Sequence, residues 1–379
     1  MAPETTDLVL TDEQRQVADA IGQMLARESD SAAVRRVAFE GDGFDRALWR
    51  QLAEQGALGL HLPEAHGGLG LGITELVLVA EALGRRLACV PWLETLAVAG
   101  TALLIGGDEA AFSRWVPAIA AGEQVLTMDV GLVDGATVGA HRREGGGWRL
   151  EGRLPAVPAG MAAERLLLPV PSIDGLLLLA VDLGAEGVRR RRLPTHDATR
   201  PLAELVLDGV VVADADCVCR GAAAERVAAY TPQVASVVLA AEQVGVAQQC
   251  LDLSVAHLQQ RVQFGRPLAG FQALKHRCAQ MMVSIELARS AVLGAARDLD
   301  AGCDARRLLE HAAMARTVAD DAARFCTHEA IQLHGGVGFT WEYDPQLYFK
   351  RAQAARCWFG MPPRWRAHHA ALLLDEAAA

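Results

Sequence analysis

Arg261-Val262-Gln263-Phe264-Gly265-Arg266-Pro267-Leu268, then Phe271-Gln272, and further on Ile331-Gln332-Leu333-His334-Gly335-Gly336-Val337-Gly338-Phe339-Thr340, are the stretches from which the rest of the chain can be read. Each lies where a long Ala/Leu/Arg-rich segment of helical periodicity stops or starts. The periodicity predicts helices over 234–262, 272–301, 306–333 and 346–374, a set that packs as a bundle. Taken alone, an Arg near a helix end makes a surface ion pair, and a Gly pair after a helix ends it.

Outward from the bundle the period changes. Between about Glu123 and Asp216, short β-type runs (125–128, 148–150, 166–170, 176–181 and 205–212) alternate with turn signals such as Glu144-Gly145-Gly146-Gly147 and Asp208-Gly209. They predict a small antiparallel barrel or sandwich. Before it, from Leu10 to about Ala121, the pattern is helical. It opens on Thr11 with Gln14 three positions on, a capping-box signature, followed by Val17, Ala18, Ile21, Met24 and Leu25 at helical spacing. The turn Leu62-Pro63-Glu64-Ala65-His66-Gly67-Gly68-Leu69-Gly70 interrupts these helices. The expected organisation is therefore a helical domain over 1–121, a β domain over 122–220 and a helical bundle over 221–379.

Bulk properties narrow the function. A chain of 379 residues can bury more than one core, and with half its residues apolar it still has no uncharged run of about eighteen, so no membrane span is expected. The start, Met1-Ala2-Pro3-Glu4, lacks the basic flank and apolar block of a secretion signal, which makes a cytoplasmic location the expectation. A net charge of −10 argues against nucleic-acid binding. The eight cysteines are scattered, Cys217 and Cys219 standing too close for a CxxC site; buried free thiols and no metal are expected.

The quoted stretches resemble the paired flavin-contact motifs of the acyl-CoA dehydrogenase family, in the right order and at family-like separations. The Pro63 to Gly70 turn resembles that family's Pro-Glu-x-x-Gly-Gly-x-Gly turn. The resemblance covers essentially the whole chain and implies helices, then a β domain, then a four-helix bundle. It implies FAD as cofactor, an acyl-CoA substrate, a separate electron-transfer acceptor and a tetramer whose cofactor sites are shared across subunit boundaries. Arg261 would bind the pyrophosphate, a task suited to a guanidinium. Phe264 would pack on the adenine-bearing half, Gln272 and Gln332 would supply amide hydrogen bonds, and Gly335 and Gly336 would admit the phosphates to the backbone. Glu342 and Arg351 match family positions taken as structural, and His334 reads as a packed, hydrogen-bonding residue.

Other positions depart from the family. Removing the α-proton of a thioester needs a base, and the family's usual glutamate position aligns with Phe359, its alternative with Ala235. Neither side chain accepts a proton. The flavin-ring segment Thr-Glu-Pro-x-x-Gly-Ser is replaced by Thr127-Met128-Asp129-Val130-Gly131-Leu132-Val133, and Trp-Ile-Thr-Asn-Gly by Ala156-Val157-Pro158-Ala159-Gly160. The chain thus resembles the base-less member of a bacterial heteromeric acyl-CoA dehydrogenase of the kind acting on steroid side chains. Two alternatives stand beside that expectation: a self-sufficient dehydrogenase using an unrecognised base, with Glu242 the nearest carboxylate, and a flavin-free scaffolding or regulatory homologue.

Overall fold

The computed structural model describes residues 10–132, 134–173 and 175–377, so the Met1 to Glu4 start and Val133 lie outside the described residues. Eleven α-helices occur among them: α1 (Asp12–Glu28), α2 (Ser31–Arg35), α3 (Arg46–Glu54), α4 (Ile73–Arg85), α5 (Thr101–Gly106), α6 (Glu109–Ala120), α7 (Ala222–Gln260), α8 (Gln272–Asp300), α9 (Ala305–His334), α10 (Pro345–Ala355) and α11 (Pro362–Ala377). Between α6 and α7 run strands β1 (Leu126–Met128), β2 (Gly139–Arg142), β3 (Trp148–Pro158), β4 (Arg165–Ser172), β5 (Gly175–Asp182), β6 (Val188–Arg192), β7 (Leu202–Val212) and β8 (Cys217–Arg220). Helices, strands and helices follow one another in the expected order. By contacts the chain groups into two compact units: one takes the chain up to Val34, Ile73–Ala88 and everything from Ser236; the other takes Arg35–Gly72 and Cys89–Ala235.

In the second unit the strands form two four-stranded sheets, ordered β1-β4-β5-β8 and β2-β3-β7-β6. All pairs are antiparallel except β1 with β4, a departure from the purely antiparallel expectation. Leu177 through Val181 of β5 are continuously buried, as a strand covered on both faces must be. The edge strand β6 instead carries four exposed arginines, which discourage pairing with another chain. That arginine run hid β6 from periodicity, and β2 and β8 were too short to read. Thr127 Oγ1 donates to the carbonyl of Pro158 at 2.7 Å and ties β1 to the end of β3.

The first unit is helical. The capping box is present: Thr11 Oγ1 accepts from the Gln14 backbone N–H, and the Gln14 side chain accepts from that of Thr11, each at 3.1 Å. Helices α8, α10 and α11 pack on α9, and α4 packs on α1 and α8. Where α4 crosses α7 the backbones nearly touch. A Cβ built on Gly245 would lie 1.9 Å from the carbonyl oxygen of Glu81, and one on Gly84 would lie 2.1 Å from that of Glu242, so only glycine fits either position.

Two helix boundaries differ from expectation. Helix α7 begins at Ala222, ahead of the expected Val234, and carries Pro232 in its interior. The segment expected to be one helix over 346–374 is two, because Phe359 at φ 57° and Gly360 at φ 108° turn the chain left-handed, and Pro362 then starts α11. Helix α7 is the one described helix long and apolar enough to span a membrane, and its most apolar window is mostly buried inside the protein. All eight cysteines are free, but only Cys89, Cys250 and Cys326 are buried; Cys357 is exposed.

Candidate functional site

At one end of the bundle, α7 gives way to a hairpin. Val262–Gln263 pairs antiparallel with Arg266–Pro267 across Phe264 and Gly265, whose φ values of 55° and 77° are those of a tight primed turn. Phe264 is thereby held at the tip, 86% exposed, its ring edge-on to Phe271 at 5.9 Å. The N–H of Leu268 donates to the Arg261 carbonyl at 2.9 Å, closing the loop before α8 starts at Gln272. Helix α9 stops at His334, with Gly335 at φ 66°.

These ends surround an open groove of about 480 Å³ lined by His257, Gln260, Arg261, Gln263, His334, Gly335, Gly336, Val337 and Tyr343. Of the residues singled out from sequence, Arg261, His334, Gly335 and Gly336 share this groove. Gln332 is exposed on the last turn of α9, Gln272 is exposed at the start of α8, and Phe264 projects from the hairpin; none of these three lines it. Among the described residues the Arg261 guanidinium has no acidic partner. A Cβ added at Gly265, Gly335 or Gly336 would meet nothing within 4 Å. An uncompensated cation beside open glycine backbone fits an anionic group such as a diphosphate.

His334 was read as a packed residue, and it is buried with Nδ1 2.7 Å from the Ala330 carbonyl oxygen. His257 went unnoticed in the sequence. It stacks on His334 with ring centroids 4.3 Å apart and 27° between planes, and both rings meet Tyr343 edge-on. Burial lowers the pKa of each imidazole; for His257 the charge of Arg261 adds to the effect, and for His334 that of His257 does. The available signal was spacing: His257 stands four residues before Arg261, on the same helical face.

Phe359 is buried, edge-on to Trp358 at 5.9 Å, and Ala235 is fully buried on α7. Glu242 is buried too. Its Oε1 lies 3.0 Å from Nη1 of Arg351, itself 2% exposed, so its carboxylate neutralises a buried cation. Arg351, read as structural, has that role through Glu242. In the β unit, the carbonyl of Pro158 occupies the hydroxyl of Thr127, and Asp129 has its pKa raised chiefly by burial.

The family models described as the N-terminal and C-terminal domains of acyl-CoA dehydrogenase match residues 11–123 and 226–362. The chain is 34% identical to "acyl-CoA dehydrogenase IpdE2" of Mycobacterium tuberculosis over 347 residues, covering 91% of this chain and 92% of that one. It is 32% identical to the protein of the same name from Mycolicibacterium smegmatis, over 94% and 96% of the two chains. Among solved structures, the ChsE4-ChsE5 complex from Mycobacterium tuberculosis superposes with a TM-score of 0.89 at 27% identity, covering 98% of this chain and 99% of that chain. A variant of the Tcur3481-Tcur3483 steroid ACAD superposes with a TM-score of 0.85 at 30% identity, covering 97% and 99%.

Proposed function

Because the chain belongs to the acyl-CoA dehydrogenase family, we propose that it serves as one subunit of a two-chain FAD enzyme. It holds the cofactor's diphosphate, and a second family chain supplies the base. The reaction takes a proton from the α-carbon and a hydride from the β-carbon of an acyl-CoA thioester, leaving a carbon–carbon double bond. Bound FAD supplies the hydride acceptor, and the electrons pass on to a separate electron-transfer acceptor. The likeness to a steroid ACAD and to a complex of two named chains favours a steroid-derived or fatty acyl thioester and a heterotetramer.

In this reading Arg261 binds the diphosphate oxygens from the groove wall, Gly335 and Gly336 let them reach backbone N–H groups, and Phe264, Gln272 and Gln332 extend toward the rest of the cofactor. Exposed Phe264, Phe339 and Trp341, at 86%, 70% and 60%, give the bundle an apolar rim suited to cover by a neighbouring chain. Thr127, bonded to Pro158, has no hydroxyl proton left for a flavin ring.

The observation that carries the proposal is the contrast between an open, cationic groove at Arg261 and a buried phenyl ring at Phe359, where the family keeps its base. Pairing with Arg351 also disfavours Glu242 as a substitute base. Co-expression with the family chain encoded beside it, followed by a flavin-to-chain ratio, tests the reading. A ratio near one half supports it. A homo-oligomer with one flavin per chain and turnover on an acyl-CoA sinks it in favour of self-sufficiency, and colourless protein from co-expression sinks it in favour of a flavin-free homologue.

A further inference from the structure

We propose that His257 and His334 are the proton-carrying half of the Arg261 groove, taking up one shared proton when a diphosphate binds there, so that binding tightens as pH falls. This rests on the assignment of the diphosphate to that groove. Both rings line it beside Arg261, Gly335 and Gly336, and they stack at 4.3 Å. Two imidazolium charges at that separation repel strongly, so the pair holds at most one proton near neutral pH. The Nδ1–H of His334 is committed to the Ala330 carbonyl, which leaves Nε2 as the titrating atom of that ring.

From its own helix end, His257 faces Arg261, which opposes protonation. From the segment ahead of α10, Asp344 favours it at His334 while accepting a hydrogen bond from Ser31 Oγ at 2.5 Å; Tyr343 presents its ring edge. His334 also sits at the carbonyl end of α9, where the helix dipole favours a cation. In the free groove burial and Arg261 disfavour the charged form of the pair. A diphosphate adds two negative charges against the same rings and reverses the balance. Between the depressed pKa of the free pair and its raised value in the complex, binding therefore absorbs a proton and Kd falls with pH.

The test uses the co-expressed assembly stripped of flavin and titrated with FAD from pH 8 to 5.5. Wild type is expected to gain up to about tenfold in affinity per pH unit over part of that range. Calorimetry in two buffers of different ionisation enthalpy should give an uptake approaching one proton. The double variant H257Q/H334Q should flatten the profile at its weak, high-pH level, whereas either single variant leaves one ring to take the proton. If R261Q binds FAD as tightly as wild type, the diphosphate assignment itself is wrong. If R261Q weakens binding while the double variant H257Q/H334Q keeps the wild-type slope, only the histidine proposal falls. Should the histidine variants fail to assemble, zero proton uptake by wild type overturns it.

Discussion

Glu242 is the residue at which a structural role and a catalytic one make opposite forecasts. It is 4% exposed and paired at 3.0 Å with Arg351, 2% exposed, so removing its charge leaves a cation in the core of the helical unit. Breaking a buried ion pair by removing one member costs up to about 3–5 kcal/mol. In Glu242→Gln the amide oxygen can still accept from the guanidinium, which retains about 1 kcal/mol. The expected loss is therefore roughly 2–4 kcal/mol, read as a lowered urea midpoint of the co-expressed assembly by circular dichroism. Replacing both partners by apolar groups, Glu242→Leu with Arg351→Met, should recover part of it, because both charges of the pair are then removed together. Turnover of the surviving folded enzyme should stay within a few-fold of wild type. Losing a general base removes on the order of a hundredfold or more. A drop of that size in Glu242→Gln with an unshifted urea midpoint would refute the structural assignment and return Glu242 to the role of base.

Gly245→Ala should destabilise the helical unit by about 3 kcal/mol or more, since its Cβ would lie 1.9 Å from the backbone oxygen of Glu81 and α4 would have to part from α7; the urea midpoint reads this. His61, buried in the core, has its pKa lowered to about 4 by desolvation. The unfolded chain therefore takes up that proton first, and the stability present above pH 6.5 is lost as pH falls toward 4, by about 2 kcal/mol at pH 5. Midpoints measured from pH 7 to 5 should show this slope in wild type and a flatter one in His61→Gln. Thr11→Ala removes the hydroxyl half of the capping box and should cost about 1 kcal/mol, whereas Thr11→Ser should be neutral.

Much of the fold could be read locally. The α1 cap, five of the strands, and the stops of α7 and α9 at Arg261 and Gly335 follow from neighbouring residues, because caps, turns and periodicity act over three or four positions. The motif around Arg261 was legible for the same reason, its residues lying at helix ends a few positions apart. Less local features were not. Helix α7 starts at Ala222 and runs through Pro232, ahead of the expected Val234, and the left-handed pair Phe359 and Gly360 divides what the apolar pattern presents as one helix.

By itself, then, the sequence determined the order of helices and strands, the family, and which groups are missing: no carboxylate stands at Phe359 or Ala235 whatever the fold. Tertiary structure decided the partners of the groups that are present. Glu242 meets Arg351 across 109 residues, the Thr127 hydroxyl reaches the Pro158 carbonyl, and His257 stacks on His334 from another helix. Composition fixes what chemistry a side chain can offer. Whether a charge is neutralised, a hydroxyl occupied or an imidazole kept neutral depends on the neighbour that packing brings within a few ångströms, and no local pattern records that neighbour.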